Sequence, residues 1–116
     1  MAIFLHKDLP TEEPYPKAKA RQVAGSKLGN VSLTISEVTL QPGGRIPLHI
    51  HPGHEEAVLI VEGTVDAVLG DETRTVTAGA TVVAPQGVKH SIVNNSNRQA
   101  RIMGCFPTVN VTREFV

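Results

Sequence analysis

The sequence predicts an all-β fold, either a barrel or a sandwich of two sheets, on three observations. Short runs that alternate apolar and polar residues, or are apolar throughout, recur along the chain and are rich in valine, isoleucine and threonine. Glycine- or proline-containing turn signals separate them every eight to twelve residues. No stretch repeats its apolar residues at helical spacing.

The bulk properties agree with a single small domain. A chain of 116 residues is enough to bury roughly two-thirds of its surface on folding. Eleven basic residues balance eleven acidic ones, so no strong field favours nucleic acid or an anionic membrane as partner. No apolar run approaches the ~20 residues of a membrane span, and the first residues lack the apolar core and cleavage site of a signal peptide. The single cysteine, Cys105, excludes an internal disulfide framework and suits a reducing compartment, so a cytoplasmic location is expected. With no tryptophan, one tyrosine and three phenylalanines, the core has to be aliphatic. Cys105 itself reads as a small buried apolar residue.

Along the chain, residues 1–22 carry Pro10, Pro14 and Pro16 and predict an extended arm, with a sheet edge as its docking place and the folded domain over 23–116. Lys17, Lys19 and Arg21 read as a solvated basic segment. Val31–Ser36 alternates as a half-buried strand; its phase reverses near Glu37, where Val38 and Leu40 take over, and a bulge is expected there. Pro42-Gly43 predicts a type II turn, Gly70-Asp71 a two-residue hairpin of type II′, and Pro85-Gln86-Gly87 a type I turn with Pro85 second. Strands are expected over 64–69, 73–77, 81–84, 90–93 and 100–106.

The stretch Gly43–Gly63 holds the chemistry. Three of the five histidines, His49, His51 and His54, fall within six residues and are followed by Glu55 and Glu56. His49 and His51 have strand spacing, with α carbons roughly 6.6 Å apart on one face, so both imidazoles converge on one ion and a carboxylate just beyond extends the set. Between the glutamates, strand phase favours Glu56, because Glu55 faces away. Val58 and Ile60 then share the inner face with Glu56, while Ala57, Leu59 and Val61 form an outward apolar row that needs a cover, a second sheet or another subunit.

Two spaced motifs make the chain resemble the cupin family. Gly43, His49, His51, Glu56 and Gly63 fit that family's first motif, and Gly79, Pro85, Gly87, His90 and Asn94 fit every spacing of its second. The fifteen residues between the motifs are similar to those of compact microbial members. The resemblance implies a single-domain jelly-roll β-barrel of two antiparallel sheets, often a homodimer. It also implies one divalent transition metal per chain, held by His49, His51, Glu56 and His90. A nitrogen and oxygen donor set without thiolate admits manganese, iron, nickel, cobalt, copper or zinc.

The expected function is metal-dependent catalysis on a small, mostly apolar, carbonyl- or carboxylate-bearing molecule. It would be either dioxygenation or redox-neutral isomerisation, decarboxylation or lyase chemistry. The alternative is a metal- or ligand-binding sensor module without turnover. Val58, Ile60 and Ile92 are expected to line the pocket. Arg45, Gln86 and Lys89 flank it and are candidates for steering a substrate, although each also suits a plain surface position. His54 is a base beside the metal, a substrate contact or a solvent-exposed loop histidine, the exposed position being favoured. Asn94 and the motif glycines read as turn and loop formers.

Overall fold

The turns that punctuate the sequence set the architecture. The computed structural model describes residues 2–116, and the strands run in chain order as β1 (Glu12–Tyr15), β2 (Ala18–Ala24), β3 (Thr34–Leu40), β4 (Arg45–Ile50), β5 (Glu56–Glu62), β6 (Thr64–Leu69), β7 (Glu72–Thr77), β8 (Ala80–Ala84), β9 (His90–Val93), β10 (Ala100–Phe106) and β11 (Glu114–Phe115). Two single 3₁₀ turns, His6–Asp8 and Ser26–Leu28, are the only helical pieces among the described residues. The strands form a six-stranded sheet of order β1-β2-β3-β10-β5-β8 and a five-stranded sheet of order β11-β4-β9-β6-β7. Every pairing is antiparallel. No ladder joins the two sheets among the described residues, so the jelly roll is a two-sheet sandwich, not a ring closed by hydrogen bonds.

The core lies between the sheets and is aliphatic, as the scarcity of aromatics requires. Ala18, Leu40, Val58, Ile60, Ala100 and Ile102 come from the large sheet and Val65, Ala67 and Ile92 from the small one. On β5 the alternation follows the expected phase. Glu56, Val58 and Ile60 are buried, while Leu59 and Val61 are 36% and 38% exposed on the outer face. Burying this aliphatic surface supplies the main driving force for folding.

Several sequence expectations differ from the structure. The strand expected over 31–36 starts at Thr34, with Val31 exposed ahead of it. It carries no bulge at Glu37, since β3 pairs with β10 without a shift from Leu40↔Ala100 to Thr34↔Phe106. Ile35 instead occupies the outer face, opposite Cys105. Glu37 also faces outward and is covered because Arg21 and Arg101 reach its carboxylate at 2.8 and 3.4 Å.

The boundary at residue 22 falls inside β2. Met1 lies outside the described residues; 12–24 form a hairpin that extends the large sheet at its edge, the docking place expected of the arm. Ala18 and Ala20 are small enough to lie against Leu40 and Val38, and Lys17, turning with φ of 63°, offers its carbonyl to the Gln41 amide.

The turn at Pro85 is displaced by one residue. Val88 N–H donates to Pro85 O at 3.1 Å, with Gly87 third at φ 76°. A positive φ at the third position defines a type II turn, which glycine adopts without strain. Cys105, finally, is a half-buried outer-face residue and no part of the core.

The other turns are as expected. Gly44 N–H closes on Gln41 O at 2.8 Å around Pro42-Gly43, and Leu69↔Glu72 leaves Gly70-Asp71 as a two-residue hairpin. Asn94 is fully buried and caps the loop before β10. Its amide donates to Leu40 O and Arg98 O, and its Oδ1 accepts from Ser96 N–H and Oγ–H.

Candidate metal centre

His49 owes its position to a local irregularity in β4. Ile46 pairs with Ile92 and His49 with His90, so β4 advances three residues where β9 advances two. The extra residue is a bulge at Pro47-Leu48, and proline, lacking an amide proton, suits such a break. The bulge turns both Ile46 and His49 inward and leaves Arg45 exposed. His51 follows just past the end of β4, Glu56 opens β5, and His90 opens β9 after the Pro85–Val88 turn.

These four residues are buried, and one ligand atom from each lies within 4.8 Å of all the others. His49 Nε2 is 3.1 Å from His51 Nε2, His51 Nε2 is 3.1 Å from Glu56 Oε1, and His90 Nε2 is 2.9 Å from the same oxygen. Their other ring nitrogens each meet a backbone carbonyl: His49 Nδ1 meets Pro47 O at 2.7 Å, His51 Nδ1 meets Thr112 O at 2.6 Å and His90 Nδ1 meets Val88 O at 2.9 Å. A carbonyl only accepts, so each Nδ1 carries the proton and donates it. Three Nε2 lone pairs and a carboxylate therefore face one another with no donor of their own. Such a cluster suits a bound cation, and carbonyl-oriented imidazoles are the usual support of metal-ligating histidines. Spacings of 2.9–3.1 Å match adjacent ligands around an ion with bonds of about 2.1 Å.

The electrostatics hold His49 and Glu56 in ligand form and draw His90 toward a proton that a bound cation would displace. Burial, reinforced by the charges of His90, His51 and Arg113, pushes His49 down to about 4 against the pull of the Pro47 carbonyl. Burial alone would raise Glu56, but the hydrogen bonds and charges of His51 and His90 outweigh it and hold the carboxyl at about 2. For His90 burial is again the largest influence and lowers it, yet the bonds to Glu56 and Val88 O win and raise it.

A cavity of about 50 Å³ opens beside His49, Glu56 and His90, walled by Val38, Ile46, Val58, Ile92, Ile102 and Phe106, with Arg113 in its lining. Val58 and Ile92 are where the sequence places them. Ile60 is not on the cavity wall; it lies deeper, in the aliphatic core. Arg45 and Gln86 are exposed and do not line it, the first because of the bulge and the second because it rides the turn. Lys89 pairs with Asp71 at 3.5 Å.

His54 is also corrected, since it is buried and not a solvent-exposed loop residue. It stacks on His51 with ring centroids 5.1 Å apart. Its Nδ1 donates to Glu55 O at 2.9 Å, and its Nε2 accepts the Thr112 amide at 3.1 Å. Neither nitrogen is free to take a proton from a substrate, so His54 braces His51 and is no base.

Two contributors lie outside the sequence motifs. Thr112 orients both His51 and His54 through its backbone, across about sixty residues of chain. Gly104, on β10, leaves room for Glu56, since a β carbon there would stand 2.6 Å from Oε2. Glycine inside a strand is a recognisable sign of such close approach. Deleting residues 112–116 removes the carbonyl that orients His51 and is expected to weaken metal binding by roughly 10–100-fold. Far-ultraviolet circular dichroism should be retained, because β11 is a two-residue edge strand.

Fold and donor set together define a metal-binding jelly roll with three imidazoles and one carboxylate beside a small cavity. The chain belongs to the cupin family: residues 36–106 match the family model described as Cupin domain. It is 36% identical over 78 residues to auxin-binding protein ABP19b of Prunus persica, covering 63% of this chain and 37% of that protein. It is 31% identical over 84 residues to germin-like protein 5-1 of Oryza sativa subsp. japonica, covering 68% and 38%. The chain thus spans well under half the length of these curated relatives. Among solved structures it superposes on the polyketide cyclase RemF of Streptomyces resistomycificus with a TM-score of 0.87 at 22% identity, covering 100% of this chain and 85% of that one. On the oxalate decarboxylase of Lactobacillus farciminis the TM-score is 0.86 at 24% identity, covering 97% and 35%. These two likenesses establish the fold.

Proposed function

We propose that the protein is a metal-dependent enzyme acting on a small carbonyl- or carboxylate-bearing molecule. The observation that carries this reading is the cavity of about 50 Å³ that sets three members of the buried donor cluster, His49, Glu56 and His90, against aliphatic walls. His49, His51, Glu56 and His90 would hold one divalent transition ion, whose chemistry there is Lewis-acid polarisation of an oxygen or, for a redox-active ion, reaction with dioxygen. The chain itself binds and orients. Val38, Ile46, Val58, Ile92 and Ile102 exclude water from the reacting group, and the volume limits the reacting portion to a few heavy atoms.

No free base lines the cavity among the described residues, since its histidines and its carboxylate are the donors themselves. That favours decarboxylation or oxygenation over reactions begun by a protein base removing a C–H proton. Proteins of this fold named as a decarboxylase, an oxidase and a cyclase support catalysis on such a scaffold. The test is turnover by manganese- and iron-loaded protein on a panel of 2-oxo acids and β-dicarbonyl compounds, followed by oxygen uptake and carbon dioxide release. Turnover of one class is expected. Tight ligand binding without turnover of any would make the protein a sensor module instead.

Self-association belongs to the same proposal. The outer face of the large sheet aligns Ala57, Leu59 and Val61 with Val83, which is 53% exposed, and with Met103 and Cys105. A second copy of the chain covering this row would form a homodimer. Sedimentation at micromolar concentration should show a dimer, with Leu59→Lys shifting it to monomer; a monomeric parent would contradict the proposal.

A further inference from the structure

We propose that Arg113 is the anion-reading residue of the cavity and that the ligand it receives is a small organic carboxylate. The inference rests on the metal-dependent reading above and narrows its substrate class. Position 113 is fixed on both sides. Before it, Thr112 is bonded through its carbonyl to His51, through its amide to His54 and through its hydroxyl to Pro52 O. After it, β11 pairs Glu114 with Ile50 and Phe115 with His49, and Val116 N–H reaches Leu48 O at 3.2 Å. Phe115, two residues on, lies 6.4 Å from His49 and 6.1 Å from Tyr15, ring to ring.

The segment therefore holds the Arg113 side chain at the cavity edge, where it is the only cationic side chain in the lining. Its guanidinium has no ion-pair or hydrogen-bond partner among the described residues, whereas Arg21 and Arg101 are both paired to carboxylates. Charge counting gives the ligand class. Three neutral imidazoles and Glu56 sum to −1, a divalent ion brings the cluster to +1, and Arg113 raises it to +2, a small apolar-walled cavity that selects an anion. The planar fork of a guanidinium matches a carboxylate in shape as well as charge.

The test uses full-length protein loaded with manganese, with acetate as probe and neutral acetamide, of the same shape, as control. Binding is read by calorimetry and by the manganese electron paramagnetic resonance line shape. Acetate should bind and acetamide should not. Arg113→Gln should weaken acetate by roughly tenfold or more at unchanged manganese content, with Arg113→Lys recovering part of the loss and the exposed Arg45→Gln changing nothing. Equal acetate binding by Arg113→Gln and parent, both holding manganese, would overturn the proposal. A parent that takes up neither manganese nor any other divalent transition ion would overturn the metal reading, and this proposal with it.

Discussion

His51→Ala is expected to remove the metal from the protein, lowering affinity by at least roughly 100-fold, because losing a mere supporting contact of a ligand already costs 10–100-fold. The position is central in three ways. Its Nε2 stands between His49 Nε2 and Glu56 Oε1, 3.1 Å from each. Its ring stacks on His54 and meets Phe106 edge to face, each at a centroid distance of 5.1 Å. Its Nδ1 proton occupies the Thr112 carbonyl, so the C-terminal segment loses its anchor along with the ligand. Metal content by plasma mass spectrometry and competition with a chromophoric chelator measure the effect. Metal content untouched by this substitution would mean that the site is assigned wrongly.

Gly104→Ala should uncouple metal binding from stability. The added β carbon falls 2.6 Å from Glu56 Oε2, with the nearest Phe106 ring atom at 3.5 Å. The strand backbone can accept alanine, and replacing a strand glycine by alanine favours folding by about 0.5–1 kcal/mol. The carboxylate, being the far end of a flexible side chain, moves aside at little cost to the fold. Affinity should fall by roughly 10–100-fold, while the denaturation midpoint of the metal-free protein stays level or rises. A concurrent loss of stability would mean that the crowding is relieved by the strands instead of by Glu56.

These two residues illustrate what the sequence shows and what it hides. His49, His51, Glu56 and His90 are legible because their spacing is tied to turns and strand phase, which are local. The phase argument that chose Glu56 over Glu55 reflects the same alternation that buries Val58 and Ile60. Turn identity was less legible: proline at 85 suits the second position of a turn, but the glycine two residues later takes the third position and moves proline to the first. The bulge that separates Ile46 from His49 is marked only by Pro47, and it displaces Arg45 from the cavity. Thr112 and Arg113 have no local signal at all. They sit beside a two-residue strand, too short for any periodicity, and they matter only through contacts with residues about sixty positions earlier. The hairpin of β1 and β2 escaped for a related reason. Its prolines argue against helix, but its pairing with β3 depends on small Ala18 and Ala20 meeting Leu40 and Val38.

The central claim is that the three Nε2 atoms and the Glu56 carboxylate enclose one divalent ion. Crystals of the protein grown with manganese and measured at a wavelength where manganese scatters anomalously test it most directly. The account predicts one strong anomalous peak per chain within bonding distance of His49, His51, His90 and Glu56, and its loss in His51→Ala crystals. A peak held by other residues, or none at this cluster when manganese is in excess, would contradict it.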